Sequence, residues 1–420
     1  MSSIYRLFIT TLIVGLFIAP ALAAQGPTAD WTKQLGQEGQ GGAYISASPI
    51  YSNGILYVCS YDGTVYALQT MNSAPLWKFN AGTTFSTPVY KDSTLYVGSS
   101  NGTLYAIETL YGKEKWRFKA YANVDSTPLL MNGILFVGSD DGRVYALDPN
   151  NGNQIWNVSV GSGVSTALES YENVLYVGTS DGSLVAIDPY TPKVKWSVKV
   201  GERAYSPLAT DDGTLYIGTY DGYIVSLDHN QGSVNWKNQT GGAVSSTPVY
   251  YDGNIYAGSW DGKLYCFNAT NGRPVWQYAT GGPIKAAPFI DKSKGIIYVG
   301  SGDQYLHAVD ARYGLPYWKF KADSPVYSTP VMANGKLYFS SYGTSTGGGT
   351  VYSLTLPENL TIVTPTPAPT VPPTPTPAPT VTPVVVTLVP SSTPSSSWCP
   401  LPGLLGMAIG LLALATYRRR

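Results

Sequence analysis

Tyr176–Pro189 reads YVGTSDGSLVAIDP: an apolar run, an Asp-Gly turn, a second apolar run and an Asp-Pro step. Nearly the same line recurs from Tyr57, Tyr96, Phe136, Tyr216, Tyr256, Tyr298 and Tyr338, a period of about 40 residues. Repetition at that period marks a repeat architecture, in which each copy is one supersecondary unit. Within a copy, Leu175-Tyr176-Val177 meets Ser180-Asp181-Gly182 and a second apolar run follows at once. An Asp-Gly pair between such runs predicts a hairpin with a two-residue turn, because both residues tolerate positive φ. These runs are strands B and C of a unit.

Upstream of each hairpin stands a run such as Ser86-Thr87-Pro88-Val89, Ser126-Thr127-Pro128, Ser246-Thr247-Pro248-Val249 or Ser328-Thr329-Pro330-Val331. Downstream comes an alternating run with a Trp, as in Lys115-Trp116-Arg117-Phe118. These predict strands A and D, with A at a sheet edge, since proline lacks the donor a central strand needs. Four antiparallel strands per unit, apolar on both faces, describe a β-propeller blade. The eighth copy ends at Val351-Tyr352-Ser353-Leu354 without a Trp strand, while the chain opens with an orphan one, Ala29-Asp30-Trp31-Thr32-Lys33-Gln34-Leu35. If that strand completes the last blade, no half-blade is left with an open edge. The expected fold is all-β: an eight-bladed propeller of four-stranded antiparallel blades over residues 29–356, closed by its N-terminal strand.

The joint between strands C and D carries a family resemblance. Ala146-Leu147-Asp148-Pro149-Asn150-Asn151-Gly152-Asn153-Gln154-Ile155-Trp156 resembles the tryptophan-docking motif of quinoprotein (PQQ-like) repeats, with Asp two, Gly six and Trp ten residues after Ala. The stretches Ala106 to Trp116, Ala186 to Trp196, Ser226 to Trp236, Cys266 to Trp276 and Ala308 to Trp318 are similar. Pro192 replaces Gly in one of them, and Ala67 to Trp77 is the most altered. The resemblance implies a propeller whose Trp31, Trp77, Trp116, Trp156, Trp196, Trp236, Trp276 and Trp318 lock adjacent blades together.

Such a fold serves dehydrogenases and non-catalytic scaffolds alike, so chemistry must be sought in the residues. The family's dehydrogenases are typically longer, hold calcium with Glu, Asn and Asp against the quinone, and often carry adjacent cysteines. Here the cysteines are Cys59, Cys266 and Cys399, none adjacent, and no long insertion interrupts the blades. Cys59 and Cys266 lie too far round the ring to bridge and are expected as buried thiols. Of two histidines, His307 takes a strand-C position filled by Tyr66, Tyr105 and Tyr145 elsewhere, which predicts packing, and His229 falls in a C-to-D turn. Asp62, Asp141, Asp181, Asp221 and Asp261 are one carboxylate per hairpin, spaced round a wide ring, and read as turn residues. No phosphate loop, zinc spacing or nucleophile elbow is present. No catalytic, cofactor-binding or metal-binding residue is expected, and no cofactor.

Lys plus Arg equals Asp plus Glu at 26 each, with 12% of residues charged, which offers nucleic acid no basic field. The 33 tyrosines fall mainly at blade positions where they fill space between sheets. Residues 1–24 have one early charge, Arg6, the apolar run Leu7 to Ala19 and then Ala21-Leu22-Ala23, the layout of an export signal. Residues 357–399 are a Pro/Thr-rich stalk, and 400–420 hold an apolar stretch, Leu401 to Tyr417, before Arg418-Arg419-Arg420. That tail also resembles the archaeal PGF-type sorting signal through Pro402-Gly403, with Leu404 where the signal has Phe. Retained as an anchor or removed for a lipid, it leaves a monomeric propeller on the extracellular face of the membrane.

A partner face is expected where the copies disagree. B-to-C turns and D-to-A loops emerge on one face. Alignment on the Ser-Thr-Pro run places Ser46, Phe85, Asp125, Val164, Tyr205, Ser245, Lys285 and Tyr327 at the entry to strand A. Tyr61, Tyr220 and Trp260, each just before a turn Asp, add aromatic surface. The candidate partner-binding residues are Tyr61, Phe85, Asp125, Tyr205, Tyr220, Trp260, Lys285 and Tyr327, with an envelope protein or a surface polysaccharide as partner. The function classes are a binding or assembly scaffold, a quinone-dependent dehydrogenase, or a structural envelope component.

Overall fold

The computed structural model describes residues 26–36, 44–45, 47–210, 212–344 and 347–358. The export-signal, stalk and anchor expectations, with Ser46 and Cys399, lie outside the described residues. Every regular element described is a strand, and the strands form eight four-stranded antiparallel sheets. In blade one the order is Ile50–Ser52 (A), Ile55–Cys59 (B), Thr64–Gln69 (C) and Pro75–Asn80 (D). In blade eight, Ala29–Gln34 supplies strand D beside Thr350–Thr355, followed by Lys336–Ser340 and Val331–Ala333. Thr32 pairs with Tyr352 and Lys33 with Val351, so the N-terminal strand closes the ring. Asp30 reinforces the seam by accepting from Lys336 Nζ at 3.0 Å and from the hydroxyls of Ser353 and Thr355.

Strands A of neighbouring blades touch one another: Ile50–Ser52 meets both Val89–Lys91 and Val331–Ala333. Strand A is therefore the central edge of each sheet. Its proline lies just outside the ladder, as Pro88 does before Val89, where a missing donor costs nothing.

The hairpin turns differ from expectation. The B-to-C connection is the four-residue turn Ser60–Gly63, with Gly63 N–H donating to Ser60 O at 3.0 Å, and only Gly63 has positive φ. The tight two-residue turn stands between strands A and B, where Asn53-Gly54, Asn132-Gly133 and Asp252-Gly253 all take positive φ at both positions. The B-to-C aspartate serves instead as an acceptor. Asp62, Asp141 and Asp261 each take the N–H two residues on, and Asp141 and Asp261 also bond the hydroxyls of Tyr145 and Tyr265 at 2.5 Å.

Each of the eight apolar cores lies between two neighbouring blades. Tyr57 and Cys59 of one strand pack with Leu95 and Val97 of blade two, while Leu56 and Val58 face Tyr338 and Val351 of blade eight. Alternate side chains on opposite faces of a strand thus enter different cores, which explains runs apolar throughout. Each fully buried side chain of this size contributes roughly 1.5–3 kcal/mol. Cys59 and Cys266 are buried and unbridged, and burial pushes both thiols up to about 12.

Seven of the eight repeat tryptophans donate Nε1–H to a carbonyl in the next blade. Trp31 reaches Thr70 at 2.8 Å, Trp77 reaches Thr109 at 2.7 Å, and Trp116 reaches Pro149 at 3.0 Å. Trp156, Trp196, Trp236 and Trp276 bond Pro189, His229, Ala269 and Ala311 in the same way. Trp318 and the Tyr298 hydroxyl beside it have no partner among the described residues. The C-to-D turn that would present the carbonyl is missing in blade eight, because its strand D comes from the other end of the chain.

His307, 2% exposed, joins the Tyr278 hydroxyl at 3.0 Å to Asp303 at 3.0 Å. It replaces the tyrosine that bonds the turn Asp in other blades. Burial alone raises the Asp303 carboxyl, but bonds from His307 and the N–H groups of Gly281 and Tyr305 outweigh it, holding the carboxyl well below the usual range. A carboxyl depressed on folding adds stability above its unfolded value near about 4 and loses that contribution as pH falls toward the folded value. Asp303→Asn is expected to cost about 1–3 kcal/mol at neutral pH, with the gap to the parent narrowing at about pH 3, read by urea unfolding.

Candidate binding face

The loops entering strands A and the turns leaving strands B surround a bowl of about 940 Å³. Phe85, Asp125, Tyr205, Trp260 and Lys285 line it. Tyr61, Tyr220 and Tyr327 stand beside those lining residues: Tyr61 packs edge-on against Phe85 at 5.0 Å, and Tyr220 against Trp260 at 5.9 Å. Tyr327 lies under the ammonium of Lys285 at 4.5 Å. Asp125 and Lys285, from blades three and seven, thus face one cavity.

One expected position is corrected. Val164 is fully buried, with its N–H on Ser139 O at 3.0 Å, as Val124 N–H is on Ser99 O. Val164 therefore matches Val124, and Ser165 is the counterpart of Asp125. Alignment on the Ser-Thr-Pro run slipped by one residue there, because blade four reads Ser165-Thr166-Ala167 where blade three reads Asp125-Ser126-Thr127.

The bowl floor consists largely of hydroxyls. Among the described residues, ten of the nineteen that line it are Ser or Thr, and none is Leu, Ile, Val or Met. Several of these hydroxyls stitch successive blades: Ser245 Oγ donates to Lys285 O at 3.3 Å, and Thr329 N–H to Ser48 Oγ at 2.9 Å across the ring closure.

Aromatic and ionic groups divide the rim. From Tyr220 the arc runs through Trp260, Lys285, Tyr327, Tyr342, Tyr44 and Tyr61 to Phe85, spanning blades five, six, seven, eight, one and two. The opposite sector carries Asp125, Asp140 and Arg203. Burial raises the Asp125 carboxyl, partly offset by the Ser100 hydroxyl at 2.6 Å. Asp140 is raised by burial and by Asp125, against the pull of Arg203, whose guanidinium donates to Ser165 Oγ at 2.9 Å.

Asp140, Arg203, Tyr44 and Tyr342 were not singled out in the sequence. Asp140 occupies the position of Tyr61, Tyr220 and Trp260, before the turn Asp, so the same rule without its aromatic restriction would have found it. Arg203 and Tyr44 share another variable position, whose carbonyl accepts the N–H of Tyr220 and Tyr61 respectively. Tyr342 stands at the Tyr61 position of blade eight, where no Asp-Gly marks the turn.

These features define the class: an eight-bladed PQQ-like propeller with a differentiated face. The family model described as outer membrane protein assembly factor BamB matches residues 21–125, 61–206, 202–291 and 286–356, and the chain belongs to that family. A search of curated protein sequences finds no match. Among solved structures, BamB from Moraxella catarrhalis is similar at 18% identity and TM-score 0.65, covering 79% of this chain and 100% of that one. A europium-containing methanol dehydrogenase is similar at 14% identity and TM-score 0.66, covering 78% and 93%. Quinohemoprotein alcohol dehydrogenase from Comamonas testosteroni gives 14%, TM-score 0.66, and coverage of 80% and 78%. At these identities the likeness is one of fold.

The dehydrogenase fold raises a quinone and its calcium ion as candidate groups. Of the Glu, Asn and Asp that hold calcium in the family's dehydrogenases, the described lining of the bowl offers only Asp, as Asp125 and Asp140, where calcium draws about six to eight oxygen ligands. Among the described residues no three His, Cys, Asp or Glu side chains converge as metal ligands. This donor set does not fit the group.

Proposed function

We propose that the chain is a non-catalytic binding or assembly scaffold of the cell surface, taking an extended envelope ligand, protein or polysaccharide, across its bowl. The observation that carries this reading is where the blades differ. The frame repeats in strands, turns and tryptophans, while divergent residues meet around one cavity of about 940 Å³. Divergent residues gathered around one cavity of a repeated frame provide a specific surface without disturbing the cores. Membership in a family named for an outer membrane assembly factor supports a scaffold role. In this proposal residues 1–24 export the chain, 357–399 hold the propeller off the membrane, and 400–420 attach it.

Hydroxyl-radical footprinting tests the proposal. The affinity-tagged full chain is labelled alone and in a detergent-solubilised envelope extract of its source cells. Protection is expected at Tyr61, Tyr220 and Trp260. Met71, Tyr111 and Tyr190, exposed at C-to-D turns on the opposite face, keep their labelling. Protection on that opposite face with none in the bowl would refute the proposal.

A further inference from the structure

We infer that the ligand of the bowl is an acidic polysaccharide, a chain of pyranose rings bearing carboxylates of the uronate type; this rests on reading the bowl as the binding site. Three observations converge on it. First, the aromatic arc offers ring faces and edges at partial exposure, 42% for Tyr61, 47% for Tyr220 and 37% for Trp260, without aliphatic pockets between them. Aromatic faces pack against the C–H faces of pyranose rings, and the lining residues described include no Leu, Ile, Val or Met to seat aliphatic peptide side chains. Second, the Ser/Thr floor presents donors and acceptors at close spacing, matching a polyol that exchanges water for many such partners.

Third, the arc contains one cation. The Lys285 ammonium lies 4.7 Å from the Trp260 ring centroid and 4.5 Å from that of Tyr327. Among the described residues no carboxylate forms an ion pair with it. Ring faces stabilise an ammonium without satisfying its N–H groups, so a ligand carboxylate supplies what the protein withholds. Trp260 is itself fixed, its Nε1–H donating to Ser245 Oγ at 2.8 Å, which keeps the indole in place beside the ammonium. A uronate satisfies both neighbours at once, its ring on Trp260 and its carboxylate on Lys285. Across the bowl the lining carboxyls Asp125 and Asp140 disfavour a second carboxylate, and Arg203 there donates to Ser165 Oγ at 2.9 Å.

Calorimetric titration of the full chain with polygalacturonate, dextran and polyaspartate tests the inference. Polygalacturonate is expected to bind, more weakly at high salt, with dextran and polyaspartate both far weaker. Lys285→Gln should weaken polygalacturonate binding about tenfold, Lys285→Arg should restore most of it, and Lys292→Gln, on the opposite face, should leave it unchanged. Melting curves establish that each variant is folded. Equal binding of dextran, equal or tighter binding of polyaspartate, an unaffected Lys285→Gln variant, or no binding of polygalacturonate would each overturn the acidic-glycan assignment. If polygalacturonate fails while the bowl is still protected in envelope extract, the scaffold reading stands and only the ligand class falls; if both fail, both fall.

Discussion

Trp116→Ala is expected to destabilise the propeller by about 3–5 kcal/mol, the range for removing a buried tryptophan. The indole is 8% exposed and lies 5.8 Å from the Tyr96 ring. Its Nε1–H and the Tyr96 hydroxyl both donate to Pro149 O of the next blade, at 3.0 and 3.1 Å. Gly152 takes φ +73°, and a Cβ there would stand 2.4 Å from Trp116 Cε3, so the turn carrying Pro149 is shaped around the indole. Removing the ring opens a cavity, deletes one bond and leaves the turn of blade three without the surface it fits. Trp318→Ala provides an internal comparison. Its ring is as buried, at 5%, but its Nε1–H has no partner among the described residues, so its loss should be smaller by about 1 kcal/mol. Urea unfolding followed by far-UV circular dichroism reads both. A loss under about 1 kcal/mol for Trp116→Ala would mean that the rest of the apolar core joins blades two and three without the indole and its bond.

The ring was legible because its determinants are local and repeated. Trp ten residues after Ala, Asp-Gly between apolar runs and proline before strand A each recur often enough for one altered copy, such as Ala67 to Trp77, to be read from its neighbours. The closing strand was legible for a different reason, as a surplus Trp run at one end answered a deficit at the other. Turn chemistry was misplaced because Asp-Gly suits both a two-residue turn and the four-residue turn of Ser60–Gly63, and only backbone geometry separates them. At the bowl, Phe85, Lys285 and Trp260 could be found because they break a pattern. Val164 was mistaken for one of them, since Ser165-Thr166-Ala167 imitates the Ser-Thr-Pro run one residue out of register. Arg203 and Tyr44 escaped because their place in the ring depends on a backbone bond to the following hairpin, which leaves no mark on side-chain identity.

Replacing Tyr61, Tyr220 and Trp260 together by alanine has the largest expected effect on binding. All three are substantially exposed and sit outside the eight apolar cores, so the fold should tolerate the change within about 1 kcal/mol per site. Their rings nonetheless hold the arc together: Tyr61 joins Tyr44 to Phe85, and Trp260 joins Tyr220 to Lys285. Aromatic anchors of this kind carry about 1 kcal/mol or more each at binding surfaces, so losing three should reduce affinity by at least about a hundredfold. The decisive measurement compares the tagged full-length parent and triple variant for capture of material from solubilised envelope of the source cells, with captured protein and sugar quantified and both melting temperatures recorded. A specialised bowl on a repeated frame predicts that capture is lost while melting stays near the parent. Undiminished capture by a variant that melts like the parent would place the partner elsewhere on the molecule and contradict the account.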